Sequence, residues 1–236
     1  MPTSLVLLPG LMCDAAVWAP QVQAFSPLLP CWVPSYEQRD SLTAMADLVL
    51  ASAPTERFSL AGHSMGGRVA LEVVRRAPQR VERLALLDTG THPLAPGEVG
   101  ERERAGRMAL LSQSRRQGMR GMGSLWARGM VHPDQRNTPL FESILDMLER
   151  SSPEQFAAQI NALLTRPDAA PQLAAITCPT LVLCGRQDTW STPEQHQVMH
   201  TAIPNAELLI IEQCGHMSTV EQAPDVNRAL ATWLSR

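Results

Sequence analysis

The sequence predicts an α/β fold: a doubly wound, mainly parallel sheet of about six strands that carries a helical cap insertion. Three observations predict it. Short apolar runs recur along the 236 residues and alternate with stretches of helical period, as parallel strands buried on both faces do. One run, Phe58-Ser59-Leu60-Ala61, leads through Gly62-His63-Ser64-Met65-Gly66 into a helical stretch, so a tight glycine-flanked turn joins strand to helix. Residues 88–179 separate the fourth run from the fifth, far more chain than one helical crossover needs.

In chain order, the first strand is expected at 5–8, ending at Pro9-Gly10. The N-terminus Met1-Pro2-Thr3-Ser4 has no basic region, so this run reads as a strand and not as a signal peptide. A second strand is expected at 31–33 and a helix near 43–53. The third strand, 58–61, precedes a helix at 67–77. That helix places Val69, Ala70, Val73, Val74 and Ala77 on one face and stops before Pro78. A fourth strand follows at 84–87. The excess before the fifth strand, 180–183, reads as helical and divides the chain into a core, 1–90 with 171–236, and an insertion, 91–170. A helix at 193–202, a sixth strand at 208–211 and a helix at 224–234 complete the alternation. The last helix aligns Val226, Leu230, Trp233 and Leu234.

Composition narrows the class. A net charge of −3 and a pI near 6.1 argue against a nucleic-acid binder. No stretch reaches 18 apolar residues, so no membrane span is expected. Five cysteines, with no CxxC motif and no histidine cluster at metal spacing, read as reduced thiols in a cytoplasm. No metal and no cofactor is expected. All basic residues are arginine. Seven of them, with Glu103 as the one acid, fall in residues 102–130. That excess either draws anionic substrates or is a solvated helix face.

Three residues carry the chemistry. Ser64 stands in the strand–turn–helix setting of a nucleophile elbow, where the hydroxyl is pushed out above the sheet. Asp188 falls just past the fifth run, in Leu183-Cys184-Gly185-Arg186-Gln187-Asp188, and His216 just past the sixth, in Cys214-Gly215-His216. Serine, acid and histidine in that chain order distinguish one scaffold from two others that carry the same triad. A serine hydroxyl needs a base within reach to attack a carbonyl. His216 would take its proton and later give it to the leaving alcohol. Asp188 would hold the imidazole tautomer. The plain alternatives are a turn serine, a buried loop histidine and a carboxylate capping a helix near Thr192. Asp88, at the end of the fourth strand, competes for the acid role.

With these motifs the chain resembles the α/β-hydrolase family nearly end to end. Ser4-Leu5-Val6-Leu7-Leu8-Pro9-Gly10-Leu11 is similar to the family's first core strand and oxyanion loop, with Pro9 where many members have histidine. The resemblance implies that residues 91–170 form a cap over the site. It implies a fold without the family's N-terminal hairpin, since only three residues precede Ser4. It also implies an oxyanion hole from the backbone N–H groups of Leu11 and Met65, of which Met65 starts a helix whose N-terminus favours an anion. Serine at 64 excludes the dehalogenases and epoxide hydrolases of this fold, which use aspartate there.

The expected activity is a cytoplasmic serine esterase of the carboxylesterase type, acting on a small-molecule ester through an acyl-enzyme. Lactone or enol-lactone, thioester and C–C bond hydrolysis are alternatives within the class. A non-enzymatic ligand-binding relative is the alternative outside it. A peptidase reading a free amino terminus fits poorly with the arginine-rich segment. Trp126 and Trp190 are candidate pocket walls. Met108, Met119, Met122 and Met130 line an apolar pocket or pack the insertion on the core. Gly118, Gly121, Gly123 and Gly129 weaken any helix there. Cys13 and Cys214 read as packing residues. The acyl and alcohol groups, the pathway and the oligomeric state are not legible.

Overall fold

Continuous apolar runs become strands wherever both faces are covered. In the computed structural model, which describes residues 3–236, six parallel strands form one sheet. They are β1 (Ser4–Leu8), β2 (Cys31–Trp32), β3 (Phe58–His63), β4 (Val81–Leu87), β5 (Thr180–Gly185) and β6 (Ala206–Ile211), in the order β2-β1-β3-β4-β5-β6. β1, β3 and β5 are buried at every residue, which is why their sequences do not alternate. β6 is an edge strand and does alternate: Glu207 and Leu209 face solvent. Its apolar run therefore belongs to a half-covered strand.

The helices are α1 (Ala19–Phe25), α2 (Leu42–Ser52), α3 (Met65–Arg76), α4 (Gly97–Trp126), α5 (Pro139–Glu149), α6 (Pro153–Leu164), α7 (Pro193–Ala202), α8 (Ser218–Glu221) and α9 (Ala223–Leu234). α3 starts two residues earlier than its periodicity predicts, immediately after Ser64. α1 lacks a periodic signature and was not expected. Its signal is a proline in the first turn, where the missing N–H costs nothing. α2 is capped by Ser41, whose hydroxyl accepts the Ala44 N–H at 3.2 Å. α1 packs with α9, and α2 with α3.

Between β4 and β5 lie α4, α5 and α6. α4 breaks at Gly118, where φ is 75° and ψ 167°, a conformation open mainly to glycine. The helix runs on through Gly121 and Gly123, so only one of the four glycines interrupts it. Gly123 instead lets Leu148 approach: a Cβ there would stand 3.0 Å from a Leu148 methyl. α6 begins with a capping box between Ser152 and Gln155. No helix among the described residues is long and apolar enough to cross a membrane.

Two glycines permit the turn after β3. A Cβ on Gly66 would collide with the Leu8 carbonyl of β1, and one on Gly62 with the Gly66 carbonyl. Both obstacles are backbone and cannot swing away. Gly66→Ala is therefore expected to destabilise the protein by about 1–3 kcal/mol or more. Gly106→Ala, in α4 with nothing within 4 Å of the added methyl, is expected to be neutral or stabilising by up to about 1 kcal/mol. Paired denaturant melts check the contrast. Equal stabilities for the two variants would contradict it.

The chain steps from β1 to β2 on one side and then crosses back to β3 on the other side of β1, so the direction of winding reverses there. Ligands of open α/β sheets bind outside the carboxyl ends of the strands at such a reversal. The loop after β1 and the turn after β3 meet there, and Asp88, Asp188 and His216 follow β4, β5 and β6 at the same edge.

Candidate active site

Ser64 holds φ 54° and ψ −118°, a strained backbone for a residue with a side chain. Its surroundings impose it. The Ser64 N–H donates to the Leu87 carbonyl at 2.9 Å, and the Ser64 carbonyl accepts the Gly67 N–H at 3.0 Å and the Thr89 hydroxyl at 2.6 Å. The side chain is thereby directed out of the sheet.

Ser64 Oγ lies 2.8 Å from His216 Nε2, and His216 Nδ1 lies 2.8 Å from Asp188 Oδ2. Asp188 Oδ1 accepts the N–H groups of Trp190 and Ser191 at 2.8 and 2.9 Å, so both carboxylate oxygens are engaged. The imidazole is clamped through its backbone as well. His216 N–H donates to the Met130 carbonyl at 2.7 Å, and the His216 carbonyl meets His63 Nε2 at 2.8 Å. Glu221 accepts the N–H groups of Gly215, Met217 and His132, tying the histidine loop to the chain that follows α4. Sequence reasoning assigned no role to Glu221, which no local pattern marks, or to His63, which stands within the elbow segment.

Asp88 ends β4 but faces elsewhere. It is fully buried, accepts the Gly185 N–H at 3.1 Å and the Ser218 hydroxyl, and lies 3.7 Å from His63 Nε2. Burial first, then the negative charge of Asp188, pushes its carboxyl well up, which favours the neutral form. Asp188 is also buried. The charge and hydrogen bond of His216 outweigh that burial and hold Asp188 low. Burial opposes a charged His216, yet the Asp188 carboxylate raises its pKa above the usual 6.5.

The loop after β1 supplies a selective donor. Met12 N–H is taken by Gln159 Oε1 of α6 at 2.7 Å. Among the described residues Leu11 N–H has no partner in the chain, and Met65 N–H is the first orphan donor of α3. Leu11 and Met65 both line the cavity above Ser64.

That cavity measures about 510 Å³. Trp126 and Trp190 both line it, with ring centroids 5.2 Å apart, and Trp190 stands 5.1 Å from His216. Of the four methionines only Met130 reaches it. Met119 and Met122 are buried in the core, and Met108 is exposed. Cys13 also lines the cavity, but burial and the charge of Asp14 push its thiol up to about 12. A protonated thiol is a poor nucleophile. The arginine-rich segment does not act as one patch. Arg104, Arg115 and Arg116 are solvent-exposed, Arg120 pairs with Glu142, Asp146 and Glu149, and only Arg102 and Arg107 line the cavity. Arg68 and Arg166, from outside the segment, join them there.

A family model described as the alpha/beta hydrolase family matches residues 5–229. The chain belongs to the alpha/beta hydrolase family. Among members, it is similar to a 2-hydroxy-6-oxononadienedioate/2-hydroxy-6-oxononatrienedioate hydrolase of Cupriavidus pinatubonensis, at 27% identity over 79% of this chain. The match spans 65% of that relative, just under two thirds of its length. A putative carbamate hydrolase, RutD, of Serratia proteamaculans is 27% identical over 98% of this chain and 90% of its own. The solved thermophilic esterase of Thermogutta terrifontis, with malate bound, superposes with a TM-score of 0.86 at 28% identity, covering 99% of this chain and 89% of its own.

Proposed function

We propose that the protein is a serine hydrolase that cleaves a small carboxylic ester through an acyl-enzyme on Ser64. The observation that carries this reading is the unbroken relay Ser64–His216–Asp188, both links at 2.8 Å, opening on a 510 Å³ cavity. Ser64 Oγ attacks the ester carbonyl while His216 Nε2 takes its proton. The oxyanion is received by Leu11 N–H and Met65 N–H, each such donor typically supplying about 2.7–4 kcal/mol of barrier stabilisation. His216 returns the proton to the leaving alcohol. Water then repeats the sequence on the acyl-enzyme and frees the acid.

Residues 91–170 serve as the cap in this reading, and Trp126 and Trp190 as walls of the substrate pocket. A cytoplasmic location belongs to it as well, supported by five free cysteines among the described residues. A second reading is hydrolysis of a C–C bond in a diketone-type acid, which the Cupriavidus relative's activity favours. The same serine, base and oxyanion donors would serve it.

Turnover on nitrophenyl esters of graded acyl length, beside lactones, thioesters and a vinylogous diketo acid, separates these readings. Multiple turnover with short acyl chains is the expected result. Turnover of the diketo acid alone would transfer the assignment to C–C cleavage. Binding without turnover on every substrate would make the protein a ligand-binding member of its family.

A further inference from the structure

The cavity wall away from the relay carries four guanidinium groups, Arg68, Arg102, Arg107 and Arg166, and one carboxylate, Glu103. Their bonding differs. Arg166 is spent on structure. It pairs with both oxygens of Glu103 at 2.7 and 2.9 Å and donates to the carbonyls of Leu163, His92 and Pro93; its side chain is 8% exposed. Arg107 shares the same carboxylate, at 2.9 Å. Arg68 has no carboxylate partner among the described residues. It donates to the His92 carbonyl at 2.8 Å, the same oxygen that Arg166 reaches at 3.1 Å. Two positive groups, Arg68 and Arg166, thus converge on one neutral acceptor, and the single charge of Glu103 is divided between Arg166 and Arg107. Burial, then the charges of Arg166 and Arg107, push the Arg68 pKa down to about 9 against the pull of Glu103. Arg68 remains charged at neutral pH, and no carboxylate among the described residues is bonded to it.

The position of Arg68 relates this deficit to the chemistry. It lies on α3 four residues after Ser64, about one turn or 6 Å along the helix axis. Gly90 leaves it room: a Cβ there would stand 3.1 Å from Arg68 Nη2. The guanidinium fork suits a planar two-oxygen anion.

We propose that Arg68, supported by Arg107 and Arg102, is a carboxylate-binding subsite, and that the natural substrate bears a free carboxylate a few bonds from the scissile carbonyl. For the ester reading on which this rests, the substrate class is the half-ester of a short dicarboxylic acid. Arg166 positions Glu103 and the carbonyls around the subsite. The charge acts locally, because the chain as a whole is negative at −3.

The test compares a neutral nitrophenyl ester with the half-ester acid of equal acyl length, in the wild type and in Arg68→Gln, Arg107→Gln and Arg115→Gln. Arg115 is exposed and does not line the cavity, so it controls for loss of net charge. The expected wild-type preference, as a ratio of kcat/KM, favours the half-ester. Arg68→Gln lowers that ratio about 10–100-fold, the range for a hydrogen bond to a charged group. Arg107→Gln lowers it less, and Arg115→Gln leaves it in place. Should Arg68→Gln fail to fold, the Arg107→Gln and Arg115→Gln pair makes the same comparison. Glutarate is a second probe, titrated calorimetrically against Ser64→Ala and expected to bind where its neutral diamide does not. Ester turnover with no preference for the half-ester would overturn the subsite and leave the hydrolase reading intact. Absence of all ester turnover, with glutarate still bound through Arg68, would overturn the ester reading and leave the subsite intact. Absence of glutarate binding would overturn the subsite whatever the turnover.

Discussion

Ser64→Ala is expected to abolish ester turnover, lowering kcat by several orders of magnitude while the protein stays folded. Removal of a triad serine has an effect of that size because the nucleophile acts as one unit with its base and acid. The hydroxyl is the only group at the elbow positioned to attack. Cys13 is held protonated by burial and by Asp14. The strained φ of 54° belongs to the turn and persists with alanine, so relief of strain is not expected. The single lost side-chain bond, to His216 Nε2, lies at the cavity surface and leaves the core untouched. The check is kcat on a nitrophenyl ester together with a melting curve. A folded variant that kept more than about a tenth of wild-type kcat would remove Ser64 from the mechanism.

Asp188→Asn is expected to lower kcat by about 10⁴, by analogy with other triads in which the acid was neutralised, and Asp88→Asn by far less. Asp188 Oδ2 meets His216 Nδ1 at 2.8 Å, whereas Asp88 accepts from Gly185 and Ser218. Asp88 is also biased toward its neutral form, which asparagine resembles in shape. A pH profile separates the two variants independently of size of effect. His216 must be neutral to act as base, so kcat/KM rises with pH through its pKa. Burial works to lower that pKa, the Asp188 charge and hydrogen bond raise it further, and the net position is above 6.5. The ascending limb of the wild type therefore lies above pH 6.5. In Asp188→Asn the largest raising interaction is gone while the burial remains, and Asp88 and Glu221 raise the pKa less, so the limb moves to lower pH. A larger loss of kcat for Asp88→Asn, or a limb unmoved in Asp188→Asn, would reverse the assignment.

The sequence alone determined the sheet and the chemistry-bearing residue types. Strands buried on both faces must be apolar throughout, and a turn in which backbone meets backbone needs glycine at 62 and 66. Both requirements are local, so they leave a mark at fixed spacing. Ser64, Asp188 and His216 were legible for the same reason, each standing just past the end of a recognisable strand. What only the tertiary structure decided are relations between residues far apart in the chain. Two aspartates end neighbouring strands, and periodicity cannot say which one turns toward His216; the path of each loop settles it in favour of Asp188. Gln159 of α6 occupies Met12 N–H and leaves Leu11 N–H open, a selection made by how α6 packs against the loop after β1. The arginines divide in the same way. The charge excess along residues 102–130 left open whether those arginines draw a substrate or form a solvated face; α4 turns most of those side chains to solvent or to α5, and Arg68 and Arg166 enter the cavity from elsewhere. Helical period specifies which face of an element is buried, whereas the rigid-body packing of elements specifies which side chains share a cavity, and no short-range pattern encodes that.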